Sequence, residues 1–404
     1  TLDKPTNYFP TMLGYGVFGP LCRSYYESMG GKFGDEFDAS AADYKYGKGP
    51  DSIAYCGPFL ITNFTSNNTI AFKTNESYWN LADNNLKTMN FLYTDGSDPL
   101  KPYDDFFGNV VDHQGMTAER IEIAKEKGTY DQFAYIAEND ATSYCGFFNV
   151  RRAAFANYND ANVGQTPKTE SDLERTGAAM LNQNFRLALL TSIDRATYNE
   201  QSVGSELKLT NLCNSYTPGT FVSLDEETTV SINGTDKTYA KGTFYGQIVQ
   251  DQLDADGVPI RVWDSNGVES SDGFDGWYNP KAARRELEQA VSELKQQGIP
   301  VSADSPIQIE LPYFSGNDAD ANRANAYKQS VEKALGGAVR IRLVECPDTN
   351  SVLYAGYYIT MGSEANYDVY DRSGWGPDYG DPQTYLDALL PQYAGYMTKM
   401  LGIF

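Results

Sequence analysis

One segment gathers more chemically capable groups than any other: Arg372-Ser373-Gly374-Trp375-Gly376-Pro377-Asp378-Tyr379-Gly380-Asp381-Pro382. A guanidinium, an indole and two carboxylates this close together suit a zwitterionic ligand. Gly374, Gly376 and Gly380 leave backbone amides open to close approach, and Asp381 before Pro382 has the form of a helix N-cap with proline at the first helical position. The segment therefore predicts a strand, then a loop, then a helix, and in alternating α/β layers ligands bind where strands end. By themselves these residues say only "binding loop". Asp378 suits an ion pair with Arg372 across the loop as well as it suits a ligand. Asp381 is first of all a cap, and an acid pair of the glycosidase kind with Asp378 depends on a separation in space that spacing does not give.

Other chemistries find little support. His113 is the single histidine, so H-E-x-x-H zinc chemistry and a three-histidine metal site are excluded, and nothing around it resembles a nucleophile elbow. No phosphate-binding glycine motif occurs; Gly47-Lys48-Gly49-Pro50 is followed by no convincing helix. Asp254, Asp256 and Gly257 imitate part of a calcium loop, but its first and last positions would be Gln252 and Trp263. Cys22, Cys56, Cys145, Cys213 and Cys346 are widely spaced and odd in number, which indicates buried thiols rather than a disulfide framework or a zinc cluster. The expectation is no metal and no cofactor.

The chain has 404 residues, enough for two or three domains, and a 41% hydrophobic content that can pack them. Its formal net charge of −22 argues against nucleic acid or an anionic membrane surface as a partner. Thirty tyrosines and four tryptophans suit a cleft that grips mixed polar and apolar ligands, although ordinary cores use such side chains too. No apolar run reaches the roughly 18 residues of a membrane span. Thr1-Leu2-Asp3-Lys4-Pro5 carries no export signal, so the expectation is a cytosolic protein or one whose signal has been removed.

The elements that must position the loop follow from periodicity. Tyr55 to Thr74 reads as a hairpin around Asn67-Asn68, and Met89 to Tyr93 as a second apolar run before the turn-rich Asp95–Pro99. Ala118 to Lys127 has helical character; Tyr144 to Val150 is a short aromatic strand. Phe185, Ala188, Leu189 and Ile193 place an amphipathic helix over Asn184–Arg195. Leu224 to Gly276 is expected to be strands and loops, with a tight turn at Asn233-Gly234. Asn279-Pro280 begins a long helix with the stripe Ala283, Leu287, Ala290, Val291 and Leu294, ended by Gly298. A strand at Ile307–Leu311, a helix from about Asn322 to Leu335, a strand at Val339–Val344 and another at Tyr367–Tyr370 complete an α/β lobe.

Four segments in order then match a known pattern: Tyr55-Cys56-Gly57-Pro58-Phe59 with Asn75 to Trp79, Asn184 to Arg195, Tyr278-Asn279-Pro280-Lys281-Ala282, and Gly374 to Pro382. In these the chain resembles the oligopeptide-binding proteins of bacterial ABC importers, the family 5 extracellular solute-binding proteins, especially their Gram-positive branch. The resemblance implies an α/β, periplasmic-binding-protein-like architecture of two lobes (type II, cluster C-like) closing over an extended peptide. It implies that Asp378, in the W-x-x-D-Y motif with Trp375 and Tyr379, captures the peptide's α-ammonium. Arg372 would lie in the cleft and meet a carboxylate of a short peptide, and Gly374 and Trp375 would line the peptide's path. The strand from Tyr144 to Asn149 corresponds to the family's crossover between lobes, giving Tyr144, Phe147 and Asn149 as further ligand contacts, although Cys145 and Gly146 interrupt the usual run.

The same resemblance assigns residues 1–148 to part of the first lobe and 149–404 to the second. Family chains begin with a lipid-modified cysteine and end with a segment that returns to the first lobe, so this chain is expected to be a fragment lacking its N-terminal part. The implied protein is a non-enzymatic, monomeric peptide carrier outside the cell membrane or in the periplasm. It would be held there by a lipid anchor absent from this chain and would deliver its cargo to ABC permease subunits. Two other readings stay open: an oligosaccharide-binding protein of the same fold, and a carboxylate-dependent hydrolase.

Overall fold

The computed structural model describes residues 2, 5–94, 98, 100–137, 141–155, 166–210, 212–264, 273–393 and 395–403. The chain divides into two compact units, Phe9–Gly115 and a larger one of Thr1–Tyr8 with Met116–Phe404.

In Phe9–Gly115, helices α1 (Phe9–Met12) and α2 (Arg23–Ser28) precede strands β1 (Phe59–Thr65), β2 (Thr69–Thr74) and β3 (Thr88–Leu92) and helix α3 (Lys101–Phe107). The three strands pair antiparallel in the order β1–β2–β3. Asn67 turns the expected hairpin at φ +52°, a conformation that asparagine tolerates better than most residues. The expected turn at Asp95–Pro99 lies, apart from Asp98, outside the described residues. This unit shields little apolar surface: Phe64, Trp79 and Phe91 are exposed, and its buried hydrophobic side chains, among the described residues, are Tyr26 and Tyr103.

The larger unit holds helices α4 (Ala118–Glu126) and α5 (Tyr130–Phe133), strand β4 (Ser143–Phe148), helices α6 (Glu170–Leu181), α7 (Gln183–Ser192) and α8 (Arg195–Val203), the hairpin β5 (Thr228–Ile232) and β6 (Thr235–Tyr239), and helices α9 (Tyr245–Ala255) and α10 (Pro280–Gln296). Then follow β7 (Ile307–Phe314), α11 (Asp318–Ala334), β8 (Val339–Cys346), α12 (Thr349–Gly356), β9 (Val369–Trp375) and α13 (Gln383–Leu386). β7 and β8 pair in parallel through the α11 crossover, as helices alternating with strands require. α10 is capped by Asn279, whose Oδ1 accepts from Ala282 N at 3.1 Å. Its stripe Ala283, Leu287, Ala290 and Leu294 packs into one core with Phe185, Ala188 and Leu189 of α7 and Ile307, Ile309 and Leu311 of β7. A second core under β9 contains Phe147, Val352, Tyr367, Tyr370 and Met400.

Four expectations shift. The helix foreseen over Asn184–Arg195 is two: α7 ends at Ser192, and Asp194 accepts from Thr197 N at 2.9 Å to cap α8. α9 lies in the stretch expected to be strands and loops; its start lacks a Ser, Thr or Asp cap, and its buried face includes Gly246 and Gln250 rather than an apolar stripe. β9 runs on to Trp375, so the first residues of the expected ligand loop, Arg372 to Trp375, are strand. Asp381 does receive Gln383 N at 2.9 Å, but α13 begins at Gln383, one residue later than proline at the first helical position required.

A buried ionic cluster ties the chain after β4 to the sheet. Arg152 pairs with Glu310 at 2.7 Å and Asp368 at 3.1 Å, Lys168 with Asp368 at 2.5 Å, and Arg342 with Glu310 at 2.6 Å. Burial pulls the Lys168 ammonium below its usual range, against the opposing charge of Asp368. No helix among the described residues is long and apolar enough to cross a membrane.

Candidate ligand-binding cavity

β4 and β9 pair antiparallel, and their shared register decides which side chains reach a large cavity in the bigger unit. Ser143 faces Trp375, Tyr144 faces Gly374 and Cys145 faces Ser373; the register then slips, so that Phe147 faces Tyr370. Between those pairs, Gly146 alone opposes both Asp371 and Arg372, a bulge in β9. A bulge breaks strict alternation and re-aims side chains. Asp371 and Arg372 are therefore neighbours in sequence that both line the cavity. Gly146 is what permits this: a Cβ there would lie 2.9 Å from the Tyr370 carbonyl oxygen. The interruption noted in the aromatic run of β4 is thus the partner of the bulge.

The cavity, about 1040 Å³, is walled by β4 and β9, by α8 and α11, and by a loop carrying Cys213, Ser215 and Tyr216. That loop is held by Arg195, itself on the cavity wall, which bonds Asp275 at 3.0 Å and the Cys213 carbonyl at 2.9 Å while lying 4.3 Å from the Trp277 ring centre. On the α11 side, Asp320 accepts from both Arg323 and Arg372. Tyr198 of α8 donates to Asp371 at 2.6 Å. Burial, partly opposed by that bond and by the two guanidiniums, raises the Asp371 carboxyl above its usual range.

Of the expected ligand contacts, Arg372, Gly374, Tyr144 and Phe147 line this cavity, and Tyr144 is 81% exposed. The internal pair considered for Arg372 with Asp378 is not formed; the guanidinium goes to Asp320. Gly376 lies on the wall and the loop beyond it carries Asp378. Thr384 holds this loop from below, accepting the Asp378 amide at 2.9 Å on its hydroxyl and the Trp375 indole at 2.9 Å on its carbonyl. No described residue donates to the Asp378 carboxylate, and partial burial raises its pKa. Tyr379 stacks on Tyr8 at 4.5 Å and donates to Asp387 at 2.7 Å. Asn149 is away from the wall: it is buried, with its amide on the Ala365 carbonyl at 3.2 Å and its oxygen accepting from Arg151 N.

Sequence reading missed Asp320, Arg323, Tyr198, Tyr327 and Asp371. None sits in a motif, and only adjacency to Arg372 marked Asp371. The cysteines also divide differently from the expectation of buried thiols: Cys346 is buried, whereas Cys22 and Cys56 are exposed. Burial pushes the Cys145 thiol up to about 12.

The family model for bacterial extracellular solute-binding proteins, family 5 (middle), matches residues 1–396. The chain belongs to that family. Among its family 5 relatives, the oligopeptide-binding protein SarA of Streptococcus gordonii is 29% identical over 395 residues, 97% of this chain and 52% of SarA. AmiA of Streptococcus pneumoniae, also an oligopeptide-binding protein, is 28% identical over 96% of this chain and 52% of its own length. The family 5 chain therefore spans about half the length of these curated relatives. A structure of Listeria monocytogenes OppA bound to peptide aligns with a TM-score of 0.56 at 19% identity, covering 99% of this chain and 59% of that one. The substrate-binding domain of an oligopeptide ABC transporter from Bacillus anthracis aligns with a TM-score of 0.57 at 19% identity, covering 100% and 58%. The expected α/β solute-binding fold is thus the fold of this family 5 chain.

Proposed function

We propose that this chain is part of a solute-binding protein that captures oligopeptides and presents them to the permease of an ABC importer. The observation that carries the reading is Asp378: a partly buried carboxylate with no donor among the described residues, on a braced loop that follows the cavity wall. Such a group is suited to a peptide's α-ammonium, and the charge-assisted bond fixes register while side chains stay unconstrained. Trp375 and Tyr379 brace that loop, and Arg372, Gly374, Tyr144 and Phe147 form the wall along which the peptide lies; Asn149 acts through the backbone it holds. The names of SarA and AmiA support the ligand class.

In this reading the protein is a monomer, breaks no bond and carries no cofactor. It works outside the cell membrane on a lipid anchor, and residues 1–148 and 149–404 belong to different lobes. Calorimetry on the full-length protein tests the central claim. Free peptides bind, whereas N-acetylation or Asp378→Asn weakens binding by about 2 kcal/mol, the order for a charged group left unpaired. Equal affinity for acetylated peptide removes Asp378 from its role. Binding of glycans but not peptides favours the oligosaccharide reading, and a ligand recovered cleaved after long incubation favours the hydrolase.

A further inference from the structure

Two cysteines share one wall of the cavity. Cys145 stands on β4 and Cys213 on the loop beside it; both are half-buried, carry thiols and line the cavity. The loop's sulfur reaches β4 itself, since Cys213 Sγ lies 3.7 Å from Ser143 Oγ. Pairing with β9 is regular from Ser143 to Cys145, so these two side chains project from the same face of the strand, about 7 Å apart. Cys213 therefore meets the face from which Cys145 projects, one strand repeat away. The two thiols also sense each other: the charge of Cys213 adds to the rise that burial imposes on Cys145.

Their surroundings differ. Cys145 packs against the second core, and a thiol pushed up to about 12 is inert toward reagents from solvent. Cys213 has the Arg195 guanidinium on its own carbonyl at 2.9 Å, and its Sγ donates to the Ser215 carbonyl at 3.0 Å. A thiol on a surface loop beside a fixed positive charge is the one that attacks; a buried thiol next to it is the one that resolves.

We propose that Cys145 and Cys213 are a redox-active pair that closes to a disulfide and staples the loop to β4 across the cavity wall. The oxidant is a low-molecular-weight disulfide, and family 5 proteins are extracellular, a setting in which disulfides persist. The Cys213 thiolate attacks one sulfur of that disulfide, whose S–S bond breaks and releases one thiolate. Cys145 then gives up its proton and attacks the Cys213 sulfur, releasing the second. Two protein thiols are oxidised, one small disulfide is reduced, and the two protons end on the two small thiols. Closure draws the loop along β4 toward Cys145, within the Cα separation of up to about 6.8 Å that a disulfide spans, and replaces the bond to Ser215. The inference goes beyond peptide capture and does not depend on it.

Mass spectrometry of the full-length protein, incubated folded with oxidised glutathione and then alkylated in denaturant, is the test. Proteolytic fragments joined through Cys145 and Cys213 are expected, and dithiothreitol separates them. Cys145→Ser is expected to trap glutathione on Cys213, whereas Cys213→Ser leaves Cys145 without glutathione. Hydrogen exchange of the amides of residues 212–216 slows severalfold in the oxidised protein and recovers on reduction. Both cysteines recovered as thiols, a separate glutathione on each, or either joined to a different cysteine overturns the pair. A joined pair with unchanged exchange in the loop overturns the staple.

Discussion

Asp378 and Asp371 are both carboxylates that burial makes harder to ionise, with different consequences. In the role proposed for it, Asp378 meets a peptide's ammonium in its ionised form, so affinity for free peptides is expected to be full above the free protein's pKa. It falls as pH drops through that value, which lies above the ordinary 3.8. Calorimetry at descending pH is expected to show this loss for free peptides and not for N-acetylated ones; parallel curves would show that another group reads the amino end. The stability sign is the reverse. A folded pKa above the unfolded one means stability present at low pH and lost as pH rises through the folded value. Asp378→Asn is therefore expected to leave the unliganded protein's Tm at pH 7 unchanged or slightly higher while weakening the complex. A clear fall in Tm would make Asp378 a structural residue instead.

Among the elements, the β4–β9 pair sets the most of the cavity wall in the fewest residues. Gly146→Ala forces a methyl against the Tyr370 carbonyl where backbone, not a flexible side chain, must yield. It is expected to destabilise by about 1–3 kcal/mol, the usual range for overpacking, and to disturb Asp371 and Arg372 together. A shift of the urea midpoint with unchanged peptide affinity would separate the bulge from the site. Asp368 bonds both Lys168 and Arg152 within the buried ionic cluster. Asp368→Asn leaves cationic charge there underpaired and is expected to cost about 3–5 kcal/mol, read by the same denaturation. Much of this architecture was legible: α10 and the β7–α11–β8 crossover follow from apolar spacing and caps. The loop around Asp378 was legible because its glycines, proline and acid lie close together. The polar contacts of Tyr198 with Asp371 and of Asp320 with Arg372 were not, since they depend on a bulge that no local pattern encodes. α9 was hidden for a related reason: its face is held by Gln250, which accepts from Val262 N at 2.7 Å, not by an apolar stripe.

The whole molecule shows two unequal units. Phe9–Gly115 buries Tyr26 and Tyr103 and little other apolar side-chain surface among its described residues, whereas the larger unit has two cores. Hydrogen exchange on this chain is expected to protect amides of β7, β8 and α10 far longer than those of β1–β3, because local opening follows buried contact. Equal protection would mean that the sheet of the smaller unit draws stability from elsewhere. The net charge of −22 adds a kinetic expectation: association is faster for cationic than for anionic peptides, and the gap narrows with salt. The pairing of β4 with β9 bears on biosynthesis as well. Asn149, just past β4, closes onto Ala365, 216 positions later. A ribosome making the chain from its N-terminus exposes the aromatic strand long before its partner exists. The strand must wait unpaired through the synthesis of α6 to α12, and no nascent chain shorter than about Trp375 possesses the wall that a ligand would touch.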